Sequence, residues 1–595
     1  MTDQQSSPPA TSSQQTPSGP APGASSALLE TIRAGYRTAG PAITLGAAVV
    51  EDVVHADAPI RLPLAMMNRH GLVAGATGTG KTVTLQVMAE QLATAGVPVF
   101  LADVKGDLSG LATAATPSDR LAERTTATGM PWEPAAFPVE FLALGGDGPG
   151  IPVRATVDSF GPLLLARIMD LNETQESCLQ LMFHWADERE LPLDDLKDLR
   201  AVVMHLTSKE GKEDLRGLGG VATSTANVIL REVTALAAGG MDAFFGVPEF
   251  ETAELLRRAP DGRGVISCLE LPSLQQRPRV FSTFMVWLLA DLFAELPEVG
   301  DTDRPKLVFF LDEAHLVFDD ASDAFLDAIT TTVRLIRSKG VGVFFVTQSP
   351  QDVPEEVLGQ LANRVQHALR AFTPKDARAL RQAVQTFPHT EYDLEEVLTS
   401  AGTGEAVVTV MDEDGAPTPV ALTRMWSPTS VIGPSTPEVL DAAVAASALL
   451  EAYGQDQDRV SAFERLTGSA TAAPGAGAAR PVPTGGSVGS HTPGAGQSQA
   501  DIDAEARRIE AEILGHPVPS SGPVETPRGE PAPRREPAPP PRREPAPARS
   551  RREENPMAEV VEDIARTAAT AFGRSVVRSV FGTKRRGRRR GGLFG

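Results

Sequence analysis

The chain has 595 residues, and 55 basic against 76 acidic side chains leave a formal net charge of −21. That balance excludes a broad surface for coating nucleic acid but not a local basic channel, because net charge says nothing about the wall of a pore. Two cysteines far apart in sequence, Cys178 and Cys268, give neither a zinc-ligand spacing nor a disulfide framework, which fits a reducing compartment. No segment approaches the ~18 consecutive apolar residues of a membrane span, and the first residues lack the basic and apolar regions of a signal peptide, so a cytoplasmic location is expected.

Residues 1–26 form a Ser/Pro/Gln-rich tail with too few apolar groups to fold. From residue 27 to about 435, short apolar β-branched runs alternate with helical patterns, the signature of an α/β domain with a mainly parallel central sheet. His70–Gly75 reads as a strand, Val83–Ala95 as a helix carrying Leu85, Met88 and Leu92 on one face, and Val97–Val104 as a second strand. A mostly helical insertion is expected at about 158–240. In it a helix starts at Asn172, whose side chain caps toward Gln175, and another presents Leu196, Leu199, Val203 and Leu206 as one stripe.

Leu307–Leu311 is a five-residue apolar strand that runs into Asp312 and Glu313. The stripe Leu326, Ile329, Val333 and Ile336 predicts the next helix, Lys339–Gly340 stops it, and the strand Val341–Thr347 delivers Gln348. A C-terminal helix at 436–466 closes the ordered region. A Pro/Gly-rich linker follows at 467–556, containing a short charged helix at Asp501–Leu514 and two RREPAP repeats. Residues 557–595 combine an amphipathic helix with a basic tail, which offers a contact for nucleic acid, an anionic membrane surface or an acidic partner, or else a solvated charge run.

The segment Gly75, Ala76, Thr77, Gly78, Thr79, Gly80, Lys81, Thr82 fits G-x-x-x-x-G-K-[ST] at every required position. Glycines let backbone N–H groups turn inward onto phosphate oxygens, Lys81 brings a point charge to the outer phosphates, and the Thr82 hydroxyl can hold Mg²⁺. The helix that follows aims its positive end at the same anion. In open parallel sheets ligands lie at the C-terminal edge of the strands, which puts Asp312 in place for the magnesium and Glu313 for the attacking water. Gln348 is delivered to the same edge, as a sensor of the γ-phosphate or as a loop-capping amide. ATP and Mg²⁺ are therefore the expected ligands, and hydrolysis the expected reaction. Phosphoryl transfer also calls for a positive group facing the γ-phosphate, and Arg69, Arg334, Arg337 and Arg364 are the candidates that spacing offers.

The segments NRHGLVAGATGTGKT, KLVFFLDEAHLVF and RLIRSKGVGVFFVTQ resemble the HerA/FtsK branch of P-loop ATPases, and more narrowly the bacterial HerA-like helicase C-terminal family. The likeness runs from about Ile43 to Met425 and extends to FLADVKGDLSGL and LGQLANRVQHALRAFTPKDARA. It implies an additional-strand, RecA-like core that assembles into a hexameric ring with ATP between subunits. It also implies that Arg69 acts at the nucleotide and that Arg337 reaches a neighbour's ATP, and it suggests a translocase or helicase working on double-stranded DNA. A nucleotide-gated assembly or signalling ATPase acting on protein or at a membrane surface is the alternative. The span from Ala27 to Arg69 is too short for the N-terminal barrel with which archaeal relatives dock a nuclease, which argues against that partnership.

Overall fold

The computed structural model describes residues 24–468 apart from 147, 216–219, 272–276, 301 and 320–322. The expectations for the tail up to residue 23, the linker, the Asp501–Leu514 helix and the 557–595 helix and basic tail fall outside the described residues. Residues 24–26, assigned to the tail from sequence, begin the helix Ala24–Gly35.

Twelve strands form one sheet: β1 (Ala42–Val50), β2 (Val53–Pro63), β3 (Gly71–Ala74), β4 (Val99–Asp103), β5 (Val139–Leu144), β6 (Ile151–Val153), β7 (Ile266–Glu270), β8 (Leu307–Leu311), β9 (Val341–Thr347), β10 (Asn363–His367), β11 (Glu405–Thr409) and β12 (Ala421–Met425). Their order is β2-β1-β12-β11-β10-β3-β9-β8-β4-β7-β5-β6. Every pair from β10 to β6 is parallel, and every pair from β10 back to β2 is antiparallel. The insertion of β9 between β3 and β8 makes this the additional-strand, RecA-like arrangement expected from sequence.

The central strands are apolar throughout because helices cover both faces of the sheet. Successive side chains of β8 go to opposite faces: Val308 and Phe310 pack with Leu85, Met88 and Leu92, whereas Leu307, Phe309 and Leu311 pack with Phe284, Ile329 and Val333. Each large side chain buried this way contributes roughly 1.5–3 kcal/mol, so the site is carried on a stiff platform.

The helix Lys81–Thr94 begins two residues before the apolar pattern does. Its first turn is built by the glycine loop, with the Thr84 N–H bonded to the Gly80 carbonyl at 2.9 Å. Between β6 and β7 lie the helices Val157–Ile168, Glu173–Glu188, Leu196–Thr207, Lys209–Asp214 and Thr223–Ala238. Asn172 and Gln175 form the expected reciprocal cap at 3.1 and 3.0 Å. The helix Asp323–Ile336 ends through a 3-10 turn, Arg337–Lys339, at Gly340 in the left-handed conformation, φ 75°.

Two differences from the sequence reading stand out. Residues 42–63 form a hairpin that pairs through β12 with the main sheet, where only a span too short for a barrel was anticipated. The single C-terminal helix is three, Pro437–Ala446, Leu449–Tyr453 and Ala462–Thr467, because the backbone turns extended at Ser447 and the chain leaves the helix again at Gly454.

Candidate nucleotide site

β3 ends where its side-chain pattern runs out and the loop Gly75–Thr82 begins. The Gly75 N–H donates to the Thr347 carbonyl on β9 at 3.2 Å, and the Ala76 N–H donates to the Ala368 carbonyl beyond β10 at 2.9 Å. The loop thus hangs between its two neighbouring strands. Glycine is required at position 75, since a Cβ there would fall 2.4 Å from the His367 Cβ. Within the loop the Thr79 hydroxyl donates to the Ala76 carbonyl at 2.7 Å, while Thr77 and Gly78 are exposed. The Lys81 ammonium folds back onto the Gly75 and Ala76 carbonyls at 2.7 and 3.3 Å. Burial holds its pKa below the usual lysine value, against the opposing pull of Glu313 and Asp312. A buried ammonium resting on two carbonyls is a cation waiting for a stronger anion.

Asp312 and Glu313 leave the C-terminal end of β8, one strand away from β9. Asp312 is 1% exposed, and one of its oxygens, Oδ2, has no hydrogen-bond partner among the described residues. Burial pushes its carboxyl up to about 7, with Glu313 adding to the rise and Lys105 opposing it. A carboxylate this poorly compensated suits a divalent cation, and the half-buried Thr82 hydroxyl at the first turn of the helix can complete such a site. Glu313 adopts φ 47°, a left-handed conformation that non-glycine residues rarely hold, and the next residue is fixed by the Ala314 N–H to Val346 carbonyl bond of 2.9 Å. Gln348 follows β9 directly and is exposed at the same edge, beside the Gly75–Thr347 contact. Phosphate loop, carboxylate pair and polar amide therefore converge on one edge of one sheet.

The arginines do not. Arg69 ends the 3-10 turn Leu64–Arg69 before β3, and Arg337 lies in the turn before β9, so both sit at the N-terminal edge. The extended chain from Arg69 to Gly75 spans roughly 15–20 Å, more than an arginine side chain reaches. The expectation that Arg69 acts at the nucleotide thus fails for the loop of its own chain; strand direction puts it on the far side. Arg364 is committed to structure, its guanidinium donating to the carbonyls of Leu361, Thr386 and Leu358, and Arg334 is exposed on a helix surface.

Three residues that sequence reasoning did not single out complete the site. Lys105, in the turn after β4, makes an ion pair with Glu313 Oε1. Burial raises the Glu313 pKa, but the hydrogen bond and charge of Lys105 outweigh it and leave the carboxyl below its ordinary range. His367 is wholly buried behind the loop, and the Gly404 N–H donates to the Thr79 carbonyl at 2.8 Å. The only sequence signal was the run ADVKGD following an apolar strand, which places Lys105 at the correct edge once β4 is known to adjoin β8.

A family model described as "Helicase HerA-like C-terminal" matches residues 50–515. Among solved structures, the plasmid coupling protein TrwB in complex with a non-hydrolysable ATP analogue aligns with 15% identity over 69% of this chain and 94% of its own, at a TM-score of 0.44. VirB4 of Thermoanaerobacter pseudethanolicus aligns with 14% identity over 67% of this chain and 98% of its own, at a TM-score of 0.42. A comparison with curated proteins finds no match.

Proposed function

Since the chain belongs to the HerA-like helicase C-terminal family and is a P-loop ATPase that uses ATP with Mg²⁺, we propose that it is a ring-forming motor that translocates double-stranded DNA in the cytoplasm. The observation that carries the reading is the convergence of Lys81, Thr82, Asp312, Glu313 and Gln348 on one sheet edge, opposite Arg69 and Arg337. In this reading Lys81 leaves the Gly75 and Ala76 carbonyls for the outer phosphates, and the loop N–H groups cradle the rest. Thr82 and Asp312 would hold a magnesium ion, whose charge would offset that of the phosphates. Glu313 orients the attacking water and accepts its proton, and Gln348 reports the state of the γ-phosphate. Arg69 and Arg337 lie away from their own site, and in this reading they face the nucleotide of an adjacent copy, a head-to-tail contact that gives a ring when its rotation closes. A hexamer is the ring we favour, on the strength of the family likeness.

Translocation without sequence preference needs only a few cationic contacts to the phosphate backbone, which a protein of net charge −21 can place inside a channel. A reducing, cytoplasmic setting suits the unpaired Cys178 and Cys268. The decisive experiment is the ATPase rate with and without double-stranded DNA at low and moderate salt. Stimulation that falls steeply with salt is expected; ATPase activity indifferent to every duplex tested would turn the reading toward a protein or membrane-surface substrate.

A further inference from the structure

Lys105 belongs to neither the phosphate loop nor the carboxylate strand, yet its side chain ends on Glu313. The wholly buried Asp103 fixes the turn that carries it: Oδ1 accepts from the N–H groups of Lys105 and Gly106 at 3.1 and 2.7 Å, and Oδ2 accepts from that of Leu108 at 2.8 Å. β4 lies beside β8, with Ala102 opposite Leu311, so the turn projects directly alongside the carboxylate pair. Lys105 holds Glu313 through Oε1 alone. Oε2 is buried and accepts no hydrogen bond among the described residues, with His315 Nδ1 at 3.3 Å. A charge-assisted bond at one oxygen fixes the plane of the carboxylate and leaves the second oxygen free to accept.

We infer that Lys105 is a positioning residue for ATP hydrolysis, holding Glu313 through Oε1 so that Oε2 orients the attacking water. The inference rests on the reading of Glu313 as the base. A base has to stand within hydrogen-bond reach of the proton it takes, and a displacement of an ångström is costly in rate. The strained backbone at Glu313 and the buttressed turn at Lys105 approach each other from two different strands, as expected of a carboxylate whose orientation matters more than its solvation.

The test uses the full-length protein and four variants: Lys105→Met, which keeps the apolar stem, Lys105→Arg, Glu313→Gln, and Lys105→Met combined with Glu313→Gln. Steady-state or single-turnover hydrolysis gives kcat and KM, and a fluorescent ATP analogue gives nucleotide affinity. Lys105→Met is expected to lower kcat by about 10- to 100-fold, with KM and analogue affinity within about threefold of wild type. Lys105→Arg restores most of the rate. The double variant is no more than about twofold slower than Glu313→Gln alone, because the effect of Lys105 on the hydrolytic step runs through Glu313. Wild-type or faster turnover in Lys105→Met beside an inactive Glu313→Gln overturns the inference, as do losses that multiply in the double variant. Full turnover in Glu313→Gln refutes the base itself, and is thereby distinguished from failure of the Lys105 inference.

Discussion

His367 Nε2 stands 2.9 Å from the Thr84 hydroxyl, and Nδ1 stands 3.0 Å from the Glu405 carbonyl. With Nδ1–H donating to that carbonyl, Nε2 accepts from Thr84, and one neutral imidazole ties the helix behind the phosphate loop to β10 and β11. Burial drives its pKa down to about 4, and the nearby cations Lys81 and Arg124 push the same way; the Glu405 carboxylate is paired instead with Arg424.

Stability should therefore fall with pH in a predictable window. The unfolded chain protonates this imidazole near its ordinary 6.5, whereas the folded chain resists until about 4, so the unfolded state gains protons first as pH drops. The wild type should lose about 2 kcal/mol more than His367→Gln between pH 7 and pH 5, and the gap should stop widening below about pH 4. Parallel denaturation curves of the two proteins across this range would refute the neutral assignment.

Lys81→Ala is expected to weaken ATP binding by roughly 100-fold or more, about 2.7 kcal/mol, as read by a fluorescent nucleotide. Folding stability without nucleotide should change little, because the two hydrogen bonds Lys81 makes to loop carbonyls are offset by the cost of burying its charge. A large drop in melting temperature with nucleotide affinity intact would show that the lysine is a strut of the loop instead.

The loop glycines should rank by what surrounds them. Gly75→Ala drives a Cβ to 2.4 Å from the His367 side chain and should cost more than about 2 kcal/mol, together with nucleotide affinity. Gly78, at φ 77° with no atom of the described residues within 4 Å of where a Cβ would stand, should cost only about 1 kcal/mol of backbone strain on substitution by alanine. Chemical denaturation of the two variants side by side gives the order.

If Arg337 serves a neighbour, two inactive variants should complement each other. Arg337→Ala mixed in equal parts with Glu313→Gln leaves about a quarter of randomly formed interfaces with both native groups, and ATPase activity should rise above that of either pure protein. Activity equal to the mean of the two pure variants would refute a shared site. Arg69→Ala in place of Arg337→Ala extends the test to the second arginine of that edge.

The four central strands β3, β9, β8 and β4 were legible because their signals are local. The runs Leu307–Leu311 and Val341–Thr347 match β8 and β9 to the residue, since strands covered on both faces are apolar from end to end. β10, where the parallel part of the sheet ends, and the antiparallel β11 and β12 read NRVQH, EAVVT and ALTRM, mixtures of polar and apolar residues with no clear period. Their pairing partners, not their own composition, make them strands.

The amino-acid sequence alone determined the phosphate loop, the carboxylate pair, the helices Lys81–Thr94 and Asp323–Ile336 to within a few residues and the cap at Asn172, because backbone turns and side-chain periodicity act over a few residues. Only the tertiary structure decided that Lys105 meets Glu313, that His367 backs the loop, and that Arg69 and Arg337 lie at the edge away from their own phosphate loop. Those relationships depend on strand order and direction, which are fixed when segments hundreds of residues apart pair into one sheet.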